Sequence, residues 1–147
     1  MSKRSLVGVL VGGVTNIVAA NLLEIPIAVY VMTTTGVLDL PSAVRKAVYL
    51  DALHANPPLF AISLMTWGLS SILGGYVAAR IARDNEVVAG ALSSWTCIAL
   101  AANALVHGLS GQPIWQFLMW LPGSTLLGAL GGYITQRASR RNEGARN

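Results

Sequence analysis

Apolar positions fall into four long blocks separated by short polar stretches. The first runs from about Leu6 to Thr33 and the second from about Pro58 to Ala79. The third runs from about Val87 to Leu109 and the fourth from about Trp115 to Thr135. Each reaches the roughly 20 residues that an α-helix needs to cross a bilayer. Open strands in lipid would leave backbone groups unpaired, and the alternating segments of about ten residues that mark a membrane barrel are missing. Gly108-Leu-Ser-Gly-Gln-Pro113 is a dense turn signal between the last two blocks. The longer connection, about residues 36–57, carries its own pattern. Asp39-Leu-Pro-Ser42 resembles a helix start, and Val44, Val48 and Leu53 recur at roughly helical spacing. This predicts a short helix lying on the outer surface, ended by Asn56-Pro-Pro58.

Composition sharpens this picture. Of the 147 residues, 54% are hydrophobic and only 11% are charged, against about 25% charged in soluble domains. Val87 to Gln136 contains no Asp, Glu, Lys or Arg. A soluble domain of this size keeps too much wet surface to hide such a stretch. A soluble enzyme, a disordered tail and a nucleic-acid-binding module are thereby excluded. The single cysteine, Cys97, allows no intramolecular disulfide and no multi-cysteine metal site, and its apolar setting reads as packing.

The net charge of +4 matters less than where the charges lie. Lys3 and Arg4 precede the first span. Arg80 and Arg83 follow the second, and Arg137, Arg140, Arg141 and Arg146 follow the fourth. Only Arg45 and Lys46 fall on the other side. Cytoplasmic loops retain Lys and Arg, so the sequence places both termini in the cytoplasm of a cell whose plasma (inner) membrane holds the chain. Lys3-Arg4, an apolar run and Val18-Ala19-Ala20 imitate a cleavable signal peptide. The apolar run resumes through Ile25 to Met32, which favours an uncleaved span.

The chain also repeats itself. Leu73-Gly-Gly-Tyr76 through Glu86 matches Leu130-Gly-Gly-Tyr133 through Glu143 at eight of fourteen positions. A weaker match places Gly8, Ala19-Ala20-Asn21 and Leu23 on Gly90, Ala101-Ala102-Asn103 and Leu105. The expected fold class is therefore all-α: a polytopic membrane protein with four transmembrane helices arranged as two parallel-repeat helical hairpins. One membrane domain would cover residues 1–147, with hairpins at about 5–83 and 87–140. A parallel repeat implies a pseudo-axis along the membrane normal. Small residues recur every fourth position, at Gly8, Gly12 and Asn16, at Ser71, Gly75 and Ala79, and at Ser124, Gly128 and Gly132. Such ladders let helices approach closely in lipid. They suit either a four-helix bundle or a homodimer seam.

The candidate binding residues are the polar groups inside the spans. Asn16, Asn21 and Glu24 share one side of the first helix at 100° per residue, and Thr96, Asn103 and His107 form a narrow stripe on the third. Glu24 is the only acid within a span. A charged carboxylate at the centre of a span costs about 2.5–3.5 kcal/mol on the insertion scale. Pro26 removes a backbone donor beside it, which frees the Leu22 carbonyl. The weaker repeat sets Glu24 and His107 at similar depth. One reading has them share a proton, since small changes of environment move either group's charge. In the other, Glu24 bonds to neighbouring helices and the asparagines act as packing glue. Asp51 and His54 share a helix face but lack a third ligand for a metal. Ser93-Ser94 has no base at matching depth, which leaves no catalytic residue to name. No cofactor motif is present.

The run Gly74-Gly-Tyr-x-Ala-x-Arg80-x-Ala-Arg83, followed by Gly90-Ala91-Leu92, resembles a span-closing phrase of small bacterial inner-membrane proteins of uncharacterised activity. The resemblance covers about one hairpin. It implies a four-helix membrane protein and no particular chemistry. The sequence thus reads first as a non-catalytic structural or accessory membrane component whose partners are the lipid bilayer and either its own copies or a larger membrane complex. The alternative is a proton-linked small-solute transporter or channel lined by the polar residues above.

Overall fold

The computed structural model describes residues 2–83, 85–106 and 114–144. Among them every regular element is helical. Helix α1 spans Lys3–Thr35, a 3-10 turn follows at Val37–Asp39, and α2 spans Ser42–His54. Helices α3 (Pro57–Ala82), α4 (Glu86–Val106) and α5 (Ile114–Gly144) complete the chain. The turn expected at 108–113 lies outside the described residues.

Local chemistry sets the helix ends. The Ser2 side chain accepts the Ser5 amide and caps α1, and Gly36 closes it in the left-handed conformation at φ 65°. Asn56 caps α3 by accepting the Leu59 amide at 3.2 Å. Pro57 and Pro58 sit in the first turn of α3, where an amide hydrogen is not needed. Helix α1 continues without a break through Pro26.

Three helices are long and apolar enough to cross a membrane: Lys3–Thr35, Pro57–Ala82 and, within α5, Phe117–Arg141. Their side chains are sorted opposite to those of a soluble protein. Leu6, Val7, Leu10, Val14, Val18 and Leu22 point outward from α1. Its buried residues are Ser5, Gly8, Gly12, Gly13, Asn16, Ala20, Ile27 and Val31. Buried positions of α3 are all serine, glycine or alanine. Large apolar groups outside and small ones inside are favourable when the solvent is hydrocarbon, where close backbone packing holds helices together. This sorting is consistent with a helical membrane protein.

The small-residue ladders do that packing within the chain. A Cβ added to Gly8 would stand 2.6 Å from the Ala78 carbonyl oxygen, and one on Gly12 would stand 2.6 Å from the Ala78 Cβ. The α1 ladder is therefore buried on α3. A Cβ on Gly75 would collide with the Gly128 backbone, and one on Gly132 would come within 2.5 Å of the Glu86 carbonyl oxygen. These contacts join α3 to α5 and α5 to α4. Ser94 on α4 also donates to the Ser124 carbonyl of α5 at 2.8 Å.

The duplicated sequence does not occupy duplicated surroundings. Gly74 of α3 faces Asn16 and Gly12 of α1, whereas its repeat partner Gly131 faces Ile72 and Tyr76 of α3. Gly75 faces α5, whereas its partner Gly132 faces α4. Helix α4 touches α1, α3 and α5, but α1 and α5 do not touch. An axis along the membrane normal exchanging the hairpins would require an α1–α5 contact to match the one between α3 and α4. No such contact occurs among the described residues. Two adjacent glycines offer two faces about 100° apart, and each hairpin uses them for different neighbours.

The long connection forms the expected helix, α2, which lies against the ends of α1 and α3. Ile27 and Val31 of α1 and Leu53 of α2 make a small core, with Tyr49, Ala52, Leu59 and Phe60 packed around it. His54 stacks edge-on against Phe60 at 5.0 Å.

Candidate functional site

That core brings α2 over the single acid of α1. Glu24 is half-buried. Its Oε1 accepts from the Ser63 hydroxyl at 2.9 Å and from the Tyr49 hydroxyl at 3.2 Å. Its Oε2 accepts from the Thr66 hydroxyl at 3.1 Å. Ser63 and Thr66 lie three residues apart and so share one face of α3. A carboxylate that accepts hydroxyl donors from two other helices needs no counter-ion to be tolerated. The Thr66 oxygen also lies 2.7 Å from the Ser63 carbonyl. A hydroxyl has one proton, so these two acceptors compete for it.

Tyr49 responds to this setting. Burial, then the charge of Glu24 and the hydrogen bond to it, push the phenol up to about 12 from 10.0. Ionising the phenol would place a second negative charge beside the first.

A cavity of about 550 Å³ lies beside this cluster, in the gap between α1 and α5. Asn16, Ala20 and Asn21 border it from α1, Trp67 and Ser71 from α3, Cys97 and Ala101 from α4, and Trp120 and Ser124 from α5. Trp67 and Trp120 meet edge to face with ring centroids 4.8 Å apart. Among the described residues, no Asp, Glu, Lys or Arg lines the cavity.

The six polar residues singled out from sequence therefore separate. Asn16 is only 3% exposed, backs onto Gly74 and borders the cavity. Asn21 also borders it, with its amide nitrogen donating to the Ile17 carbonyl at 2.8 Å. Thr96 packs against Gly13 of α1. Asn103 is exposed. Glu24 turns to α2 and α3. His107 lies outside the described residues, and so does its pairing with Glu24. Tyr49, Ser63 and Thr66 escaped the sequence reading, as did the aromatic and hydroxyl lining of the cavity. One signal was available. Ser63 and Thr66 lie near the start of α3 and Glu24 lies in the second half of α1, so an antiparallel hairpin sets them at comparable depth.

The chain matches no known family model, no curated protein and no solved structure.

Proposed function

We propose that the chain is a small multi-pass protein of a bacterial inner membrane, non-catalytic, acting as a structural or accessory component. In this reading α4 is a fourth span. Its 21 residues would rise about 31 Å at 1.5 Å each, close to the roughly 30 Å of hydrocarbon. Four spans place both termini and the Arg80, Arg83, Arg137, Arg140 and Arg141 cluster in the cytoplasm, with α2 at the outer interface.

The observation that carries this reading is the use made of Glu24. Glu24, the one acid of α1, is bonded by three hydroxyls and ties α2 to α1 and α3. An intramembrane acid held in this way serves as a clasp between elements. The experiment is to compare Glu24→Gln with wild type for assembly and for proton flux in proteoliposomes. The accessory reading expects a weaker clasp and no change in flux. A proton flux that wild type supports and Glu24→Gln abolishes would favour the second reading, a proton-linked transporter or channel. That reading draws on Glu24 lying three residues from Asn21, which borders the cavity.

A further inference from the structure

Two polar groups that border the cavity have no side-chain hydrogen bond among the described residues. Asn16 is 3% exposed and Ser71 is 6% exposed, and both border the cavity. No described residue forms a hydrogen bond with the Asn16 amide or the Ser71 hydroxyl. A buried polar group without a partner costs stability in water-free surroundings, more than a made bond returns. An acyl chain cannot relieve that cost, because it has neither donor nor acceptor. The remaining lining supplies the opposite chemistry. Trp67, Trp120, Ile98 and Leu127 form apolar and aromatic walls, with no charged side chain among the described lining residues. A concave, mostly apolar site with a few convergent polar groups, within about 300–1,000 Å³, is the usual form of a small-molecule site. The cavity fills the gap between α1 and α5, the pair of long helices that do not touch, so its approach is from the side, out of the lipid.

We infer that this cavity binds a neutral, largely apolar small molecule drawn from the bilayer. One hydrogen-bonding group of that molecule meets Asn16 and Ser71, and its apolar body lies against Trp67 and Trp120. A charged solute has no counterpart in the lining, and the amide and hydroxyl together suit a group that both donates and accepts, such as an alcohol or amide. The site is separate from the Glu24 clasp, so it stands or falls independently of the accessory role.

The test uses the full chain reconstituted in phosphatidylcholine bilayers and a photoactivatable diazirine derivative of benzyl alcohol as the probe. Labelled residues are read by peptide mass spectrometry. Labelling that saturates with probe concentration, maps to Trp67, Trp120 and the Cys97–Ala101 turn, and is displaced by excess benzyl alcohol is the expected result. Asn16 is packed on Gly74, so Ser71→Ala and Ala101→Trp carry the comparison, with folding followed by gel filtration. Ser71→Ala should raise the half-saturating concentration about fivefold to tenfold, the factor lost with one net hydrogen bond. Ala101→Trp, at an exposed position on the cavity wall, should fill the space and abolish saturable labelling. Labelling that never saturates and falls on outward positions such as Leu22 or Val18 would overturn the inference. An unlabelled cavity in a folded protein, or labelling unchanged by Ala101→Trp, would do the same.

Discussion

Glu24 is the residue on which the local account turns. Replacing it with alanine leaves the Tyr49 and Ser63 hydroxyls without their acceptor and Thr66 with the Ser63 carbonyl alone. We expect a loss of about 1–3 kcal/mol in the stability of the detergent-solubilised protein, read by thermal unfolding. Ser63→Ala and Tyr49→Phe should each cost less, about 1 kcal/mol. A Tyr49→Phe and Glu24→Gln double-mutant cycle should show coupling, because the two groups share a bond. Tyr49 gives a second handle. Its phenol should ionise near pH 12 and not near 10, seen as the one-tyrosine increment of tyrosinate absorbance by which wild type exceeds Tyr49→Phe. The folded value is raised, so the neutral phenol contributes stability that is complete below pH 10 and is lost as pH rises through about 12. Glu24→Gln should move the transition downward, since the charge of Glu24 is one of its causes. The sequence made Glu24 legible as a costly acid but not its partners. The weak repeat pointed toward α4, while the donors sit on α2 and α3. Serine, threonine and tyrosine carry no mark in a sequence that says which acceptor they will meet.

At the scale of elements, the four-residue ladders were readable because small residues at helical spacing have one plain use in lipid. Which helix each ladder would face was not readable. Leu73-Gly-Gly-Tyr76 and Leu130-Gly-Gly-Tyr133 are identical as written, yet Gly74 packs on α1 and Gly131 on α3. Identical residues cannot reveal that difference, since it is set by the placement of whole helices. The packing gives a graded prediction. Gly75→Leu and Gly131→Leu should each separate α3 from α5, because the added Cβ would already collide with the facing backbone. The loss should be several kcal/mol or failure to assemble, read by thermal unfolding or gel filtration. Gly123→Ala is the contrast, with nothing within 4 Å of the added Cβ. It should be neutral or stabilise the helix by up to about 1 kcal/mol. The helix α2 was legible from its start signal and spacing. Its docking through Leu53 was not, because Val44 and Val48 shared the same periodic pattern while Val44 stays exposed.

For the whole molecule, long apolar blocks and scarce charge foretold an all-helical chain, and three helices meet the length and apolar character of spans. The number of crossings decides everything else about orientation. With four, the arginines after α3 and α5 and the Lys3-Arg4 pair lie on one side. With three, the ends lie on opposite sides and the inside rule is broken for one group. The structure's outward leucines and valines require an apolar solvent around α1, α3 and α5, and α4 also turns Trp95, Leu100 and Val106 outward, but α4 is not among the three helices that meet the length and apolar character of spans. Its crossing therefore has to be measured from its two ends.

The most direct measurement is a set of reporter fusions in a bacterial host, at the N-terminus, after Asn147, and within the segment around Arg45. Green fluorescent protein reports the cytoplasm and alkaline phosphatase the exterior. We predict fluorescence at both termini and phosphatase activity only near Arg45. Phosphatase activity after Asn147 together with a fluorescent N-terminus would contradict the account, since the chain would then cross three times and α4 would not span.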